Sequence, residues 1–74
     1  MRTIRFTALI EREGDGFVAL CPELDIASQG DTVEQARAML KEAVELFFEC
    51  AGDEEIQRRT GGECYIVPME CSIA

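Results

Sequence analysis

The sequence predicts an α+β fold in which one long helix packs on one face of a small antiparallel sheet, in the order β-β-β-α-β. Three observations carry this prediction. The stretch from Thr32 to Ala51 repeats apolar residues at the spacing of an amphipathic helix. Three apolar or alternating stretches precede it, and one follows it, each bounded by turn-forming residues as strands are. With only 74 residues, these elements predict a single domain, residues 1–74.

The predicted helix begins in a motif with the features of a helix N-terminus. Asp31 is a favourable N-cap residue, because its carboxylate accepts a hydrogen bond from an amide of the first turn. Glu34 is placed to complete a capping box with the Asp31 amide, and Gly30 lets the chain turn abruptly into the cap. The helix should bury one apolar stripe and expose a charged face. The stripe is Val33, Ala36, Leu40, Ala43, Val44, Phe47 and Ala51, and the charged face is Glu34, Lys41, Glu42, Glu45 and Glu49.

Three strands are expected before the helix. Thr3 to Glu11 alternates apolar and polar residues, which is typical of a strand with one buried face. The loop from Glu13 to Gly16 has two glycines around an acid and predicts a hairpin. Phe17 to Cys21 is almost continuously apolar and should be a more buried strand, ended by Pro22. A short third strand is predicted from Ile26 to Ser28.

The chain after the helix is predicted to hold a mobile connection and a last strand. Residues 53–62 are polar and end in two glycines, although their middle, residues 54–59, is compatible with a helical turn. From Glu63 to Ile73 apolar residues alternate again. Pro68 cannot donate to a ladder and so belongs at a sheet edge or a bulge. One face of this strand would carry Tyr65, Val67, Met69 and Cys71, and the other Cys64, Ile66 and Pro68.

A chain this small should have a partner. Its size allows only about 60% of the unfolded surface to be buried, and one helix covers one sheet face. Apolar groups on the uncovered face or edge would come from Leu9, Val18, Leu20 and part of the last strand. Exposed apolar area of this kind usually marks a contact surface, so a homodimer or higher oligomer is expected.

Charge and hydropathy limit the kinds of partner and the location. The net charge of -8, from 15 acidic against 7 basic residues, argues against direct nucleic-acid binding. It suits a basic protein partner, although a merely solvated acidic surface is as common a reading. No apolar run reaches the roughly 20 residues of a membrane span, and no signal peptide precedes the first strand. A cytoplasmic protein with reduced cysteines is therefore expected.

The residues present do not predict an active site. The chain has no histidine, which removes the commonest general base. Its four cysteines lack a C-x-x-C pair, so a zinc site is the less favoured alternative, and Cys21 and Cys50 are expected to be small buried side chains. The acids do not converge as a metal-dependent nuclease would need, and the loop at Gly14 to Gly16 is too short and acidic to hold phosphate. No catalytic residue, metal or cofactor is predicted.

Four motifs occur in order: Asp15 to Ala19, Cys21 to Leu24, Gly30 to Ala36, and Lys41 to Ala43. Together they resemble the HicB-like antitoxin family, with its D-G-[FY]-x-A hairpin, P-E-L turn and G-D-T-x-E-x-A helix start. The motif positions are Asp15, Gly16, Pro22, Gly30, Asp31, Thr32, Glu34 and Ala36. The resemblance spans Ile4 to Glu49. It implies a partial ribonuclease H-like β-β-β-α-β unit, and a non-enzymatic protein that forms dimers or tetramers and neutralises a small basic RNA-cleaving toxin of the HicA type.

The chain departs from longer family members in two places. Those members carry a DNA-binding module after the domain, whereas this chain ends in a predicted strand at Ala74, so it resembles a short stand-alone form and direct DNA binding is not expected. Many members also have Pro-Gly after the P-E-L motif, where this chain has Asp25 and Ile26. The acids predicted to meet a partner are Glu23, Asp25, Glu42, Glu45 and Glu49. A self-associating structural or regulatory domain without a toxin is the alternative, and a divalent-metal hydrolase is a distant third.

Overall fold

The structure, a computed structural model, describes residues 3–74 and places three strands and two helices in them. The strands are β1 (Leu9–Glu13), β2 (Gly16–Cys21) and β3 (Ile26–Gly30), and the helices are α1 (Val33–Cys50) and α2 (Asp53–Thr60). The predicted α+β class and the β-β-β-α order are confirmed. None of the helices in the described part is long and apolar enough to cross a membrane.

The three strands form an antiparallel sheet in the order β1-β2-β3, so β1 and β3 are its edges. A two-residue loop joins β1 to β2, with Gly14 at a φ of 61° and Asp15 beside it. A positive φ at the first loop residue alone is the signature of a type II′ turn, which matches the twist of a hairpin. The hairpin prediction is therefore confirmed.

The first strand is shorter than predicted at its beginning. Leu9 pairs with Leu20, and Cys21 is the last residue of β2. Residues 3–8, called here the first segment, thus run past the end of β2 and have no regular secondary structure. The alternation in this segment correctly predicts which side chains face the core, since Phe6 packs against it. The alternation does not reveal that β2 ends too early to pair with these residues.

The N-cap of α1 is Thr32, and the predicted cap at Asp31 is wrong. Thr32 has extended backbone angles, and its hydroxyl accepts a hydrogen bond from the amide of Gln35 at 3.0 Å. The side chain of Gln35 in turn accepts from the Asp31 amide at 2.6 Å, so Gln35 takes the part assigned to Glu34. The sequence contains two possible capping boxes, Asp31 with Glu34 and Thr32 with Gln35. The structure uses the second pair.

A glycine is needed at position 30 because the backbone of α1 approaches it closely, and not because the chain turns abruptly there as the sequence suggested. Its φ is not positive, but a Cβ there would lie 2.5 Å from the Ala36 backbone nitrogen and 2.9 Å from the Gln35 carbonyl carbon. The first turn of α1 thus rests directly on the end of β3. Gly16 is similar, because its Cβ would lie 2.9 Å from the Gly30 carbonyl oxygen.

The core lies between α1 and the sheet. Helix α1 packs on β3 and β2 and barely reaches β1. The buried side chains come from both layers and from the turn after β2. They are Ala19, Cys21, Leu24, Ala36, Leu40 and Val44, with Phe6, Ile10, Phe17, Ile26 and Phe48 packed against them. Three stripe positions predicted for α1 are therefore at the centre, whereas Val33 is 42% exposed at the helix start.

The chain after α1 differs most from the prediction. The mobile connection is instead a helix, α2, and the helical turn predicted as compatible with residues 54–59 is confirmed. Acidic residues occupy its first turn and basic residues its last, which suits the helix dipole. The predicted last strand does not form. Residues 63–74, called here the last segment, have no regular structure, and all of them are exposed. The radius of gyration is 14.5 Å, against about 11 Å for a compact chain of this length.

The cysteines are free thiols. Cys21 is buried as predicted. The predicted burial of Cys50 is wrong, because it is the last residue of α1 and lies six positions beyond Val44, the last buried residue of the helix. Cys64 and Cys71 lie exposed in the last segment.

Candidate protein-binding surface

Three of the five predicted partner-binding acids lie together on the outward face of α1. Glu42, Glu45 and Glu49 are exposed and are separated by three, four and seven positions, which places them on one side of a helix. Lys41 approaches Glu45 at 3.6 Å, with both side chains mostly in water. An exposed pair of this kind contributes little to stability. The acidic face therefore lies exposed to solvent.

Two large apolar side chains lie beside this acidic face, and the sequence analysis missed both. Leu46 is 55% exposed and Met39 is 40% exposed. They are seven residues apart, so they share one side of the helix, and Leu46 follows Glu42 by four positions. The signal was present in the sequence as two apolar residues outside the stripe. We call Glu42, Glu45, Leu46, Glu49 and Met39 the outer face of α1.

Glu23 has a structural role within the chain. Its carboxylate accepts hydrogen bonds from the Thr7 amide at 3.0 Å and from the Thr7 hydroxyl at 2.6 Å, and the Cys21 thiol lies 3.5 Å away as a third donor. These contacts hold the first segment against the turn after β2. Partial burial alone would raise the pKa of Glu23, but its hydrogen bonds together, with the two from Thr7 foremost, lower the pKa below its ordinary value of 4.5.

Asp25, the fifth predicted acid, is exposed in the turn between β2 and β3. Its φ is 54°, in the left-handed region, which aspartate tolerates better than most residues. The tight turn begins at Pro22, directly after β2. The structure thus separates the five acids into a helix group and a turn group, and contact of either group with a partner stays a prediction.

Arg59 fixes α2 to the same turn, a contact that the sequence analysis did not foresee. Its guanidinium donates to the Leu24 carbonyl oxygen at 2.6 Å and lies 5.4 Å from the centre of the Phe47 ring. The side chain also approaches Glu55 at 3.4 Å. Three partners from three elements hold Arg59, and this explains why the polar connection is ordered.

The face of the sheet opposite α1 carries the apolar residues expected there. Leu9, Val18 and Leu20 line a shallow cavity of about 140 Å³ together with Glu11 and Glu13. Leu9 pairs with Leu20 across the strands and is 45% exposed. The prediction that these side chains lie on the uncovered face is confirmed.

Two observations describe the reactivity of the cysteines and acids. Burial raises the pKa of the Cys21 thiol, and the neighbouring Glu23 adds to the rise, although backbone amides oppose it. A thiol held neutral in this way is a poor nucleophile. Within residues 3–74, no three cysteine or acidic side chains are grouped so that they could hold a metal ion.

Comparison with known proteins gives a limited link. No family model matches the chain, and no solved structure matches it. It is similar to two proteins of Synechocystis sp., UPF0150 protein ssl0738 and UPF0150 protein ssr1765. The first is 49% identical over 45 residues, which are 58% of this chain and 62% of the relative. The second is 48% identical over 46 residues, 60% of this chain and 58% of the relative. The matches span about three fifths of each relative, and they link the chain to the UPF0150 proteins.

Proposed function

We propose that this chain is a non-enzymatic protein-binding module of the HicB-like antitoxin type. In this proposal it acts in the cytoplasm and neutralises a small basic RNA-cleaving toxin of the HicA type. The observation that carries the proposal is the outer face of α1, where Glu42, Glu45 and Glu49 lie exposed next to Leu46 and Met39.

Charge supports a basic partner. The chain carries a net charge of -8, and complementary charge speeds the encounter of two proteins and orients them. This steering acts over about 8 Å at physiological salt. An acidic helix face should therefore attract a basic surface and should do so less at high salt.

Apolar side chains support a specific complex beyond electrostatic attraction. Leu46 is more than half exposed, and it is not one of the side chains that pack against the core. An apolar anchor surrounded by charged residues is the usual arrangement at a protein interface, with the centre excluded from water. The acids would then orient the partner while Leu46 and Met39 supply buried area.

The similarity to UPF0150 proteins supplies a coarse family link. The toxin as partner rests on the resemblance of the four sequence motifs to the HicB-like family and on the outer face of α1.

Co-purification with the product of the neighbouring gene tests the proposal. We expect a complex whose dissociation constant rises about tenfold or more in the double variant Glu42→Lys and Glu49→Lys, because two steering contacts become repulsive. The matched control is Glu11→Lys and Glu70→Lys, which changes the net charge equally at two exposed residues outside α1. If both variants weaken binding equally, net charge alone is responsible and the outer face of α1 is not the site. Absence of a complex, together with no rescue from that product's toxicity, would refute the proposal.

A second function is a self-associating structural or regulatory domain without a toxin. The exposed apolar residues of the last segment favour it, notably Met69 at 90% and Ile73 at 89%. Concentration-dependent assembly of the purified chain, with no complex formed with the neighbouring gene product, would identify this function.

A further inference from the structure

The turn between β2 and β3 (residues 22–25, called here the β2–β3 turn) holds two parts of the chain that lie outside the sheet and α1. Glu23 accepts two hydrogen bonds from Thr7 of the first segment, at 3.0 and 2.6 Å. The next residue, Leu24, accepts a hydrogen bond at its carbonyl oxygen from the Arg59 guanidinium of α2, at 2.6 Å. Two neighbouring residues of one turn are thus the attachment points of segments that are far apart in the sequence.

Each part has few other attachments. Among residues 3–74, the bonds of Thr7 are the only hydrogen bonds between the first segment and another part of the chain. That of Arg59 is the only one between α2 and the rest of the fold within the same residues. Packing of α2 on the sheet and on α1 is slight. A region with few buried contacts opens locally at a low cost in free energy, so both parts can leave while the sheet and α1 stay folded.

The β2–β3 turn has little freedom to move at one residue alone. Its ends are fixed, because Cys21 and Ile26 pair across β2 and β3. Between them the Leu24 side chain is buried, at 4% exposure, and Asp25 has a left-handed backbone with a φ of 54°. Few conformations of four residues satisfy these constraints. A shift of the Leu24 carbonyl should therefore move the adjoining Glu23 as well.

The first segment, the β2–β3 turn and α2 meet at a cavity of about 230 Å³. Its lining includes Arg5 and Phe6 of the first segment, Glu23 and Leu24 of the turn, and Arg59 of α2. The Glu23 carboxylate and the two guanidinium groups have opposite charges, and attraction across so small a space favours the closed arrangement. Loss of one wall admits water, which weakens the attraction that holds the other.

We propose that the β2–β3 turn is a shared latch, on which the first segment and α2 dock together and from which they are released together. Groups that belong to one hydrogen-bonded network stabilise one another beyond their separate contributions. A molecule that draws either part away from the turn would then free the other. The proposal is independent of toxin binding.

The released state differs from the closed one in two measurable ways. The Thr7 amide loses the carboxylate that accepts its hydrogen bond. Helix α2 has only eight residues, and a helix of that length is marginal in water without tertiary support. It should therefore unwind on release, and the Gly61 amide, which donates to the Gln57 carbonyl at 2.7 Å, should exchange with solvent.

Amide hydrogen exchange of the full chain, followed by NMR, tests the coupling from α2 to the first segment. Arg59→Met removes the guanidinium and keeps a long unbranched side chain. We expect the Thr7 amide to exchange about fivefold faster or more in this variant, as for a moderate coupling between groups of one network. Arg58→Met is the matched control, because the ion pair of Arg58 with Glu55 lies within α2, and it should leave the Thr7 rate unchanged.

The reverse direction needs a second variant. Thr7→Val keeps the branched shape and removes the hydroxyl donor to Glu23. It should make the Gly61 amide exchange about fivefold faster or more. Thr3→Val, at an exposed residue of the same segment, is the control and should leave that rate unchanged. The amide of Leu40, which is fully buried in α1, reports unfolding of the whole fold and should keep its rate in every variant.

Three results would overturn the proposal. The first is an unchanged Thr7 rate in Arg59→Met or an unchanged Gly61 rate in Thr7→Val, since the two parts would then be released separately. The second is an equal effect of a variant and its control. The third is a proportional rise of the Thr7, Gly61 and Leu40 rates, because this would show that the substitution destabilises the whole fold and does not open a latch.

Discussion

Replacing Gly30 with alanine tests the contact on which the packing of α1 depends. The added Cβ would lie 2.5 Å from the Ala36 nitrogen, 2.9 Å from the Gln35 carbonyl carbon and 3.0 Å from the Ala36 Cα. All three are backbone atoms of the first turn of α1, so no side chain can rotate away. The helix start must move off the end of β3, and Ala36, which is fully buried, must move with it.

The size of the effect follows from two opposing contributions. Forcing extra volume into a packed site costs about 1–3 kcal/mol, whereas alanine restricts the unfolded chain and returns roughly 0.4–1 kcal/mol. We expect the free energy of unfolding to fall by about 1–2 kcal/mol. For a domain of this size, each lost kcal/mol lowers Tm by about 4–8 °C.

Urea denaturation followed by circular dichroism measures this difference. The matched control is Gly62→Ala, because its Cβ would meet nothing within 4 Å and its φ is not positive. Both variants restrict the unfolded chain to the same extent. The difference between their free energies of unfolding therefore measures the cost of the close contact at Gly30. All samples need one protein concentration, because association changes apparent stability. If Gly30→Ala is as stable as Gly62→Ala, the close approach of α1 to β3 is wrong.

Two further predictions concern local hydrogen bonds. Thr32→Ala should lower the free energy of unfolding by about 1 kcal/mol, the usual cost of a lost N-cap. Asp31→Ala should change it much less. Thermal melts that show Asp31→Ala to be the less stable variant would restore Asp31 as the cap. Glu23→Gln should destabilise the chain at neutral pH, and the difference from the unsubstituted chain should shrink in acid. The sign follows from the lowered pKa of Glu23: its stabilisation is complete above the ordinary value of 4.5 and is lost as the pH falls through the lower folded value. A difference in unfolding free energy that does not vary with pH would contradict this assignment.

The candidate surface was partly accessible from the sequence. Glu42, Glu45 and Glu49 could be assigned to the outward face of α1 because helical periodicity alone decides which positions oppose the buried stripe. Glu23 could not be interpreted in the same way. Its hydrogen-bond partner, Thr7, is 16 residues away, and no local pattern reveals that a loop carboxylate is used inside the chain. Leu46 was overlooked for a simpler reason, since an isolated apolar residue outside a stripe has no periodic signal.

Local patterning by itself determined the hairpin, the third strand and the extent of α1, because each depends on contacts between residues a few positions apart. The tertiary structure decided three other matters. It showed that Gly30 is needed for the close approach of α1 and β3, that Arg59 orders α2 through the Leu24 carbonyl, and that residues 63–73 form no strand in a single chain. A strand exists only where a neighbour supplies its hydrogen bonds. Alternation of apolar residues is a property of the segment alone, whereas the presence of a neighbouring strand depends on the arrangement of all the other elements.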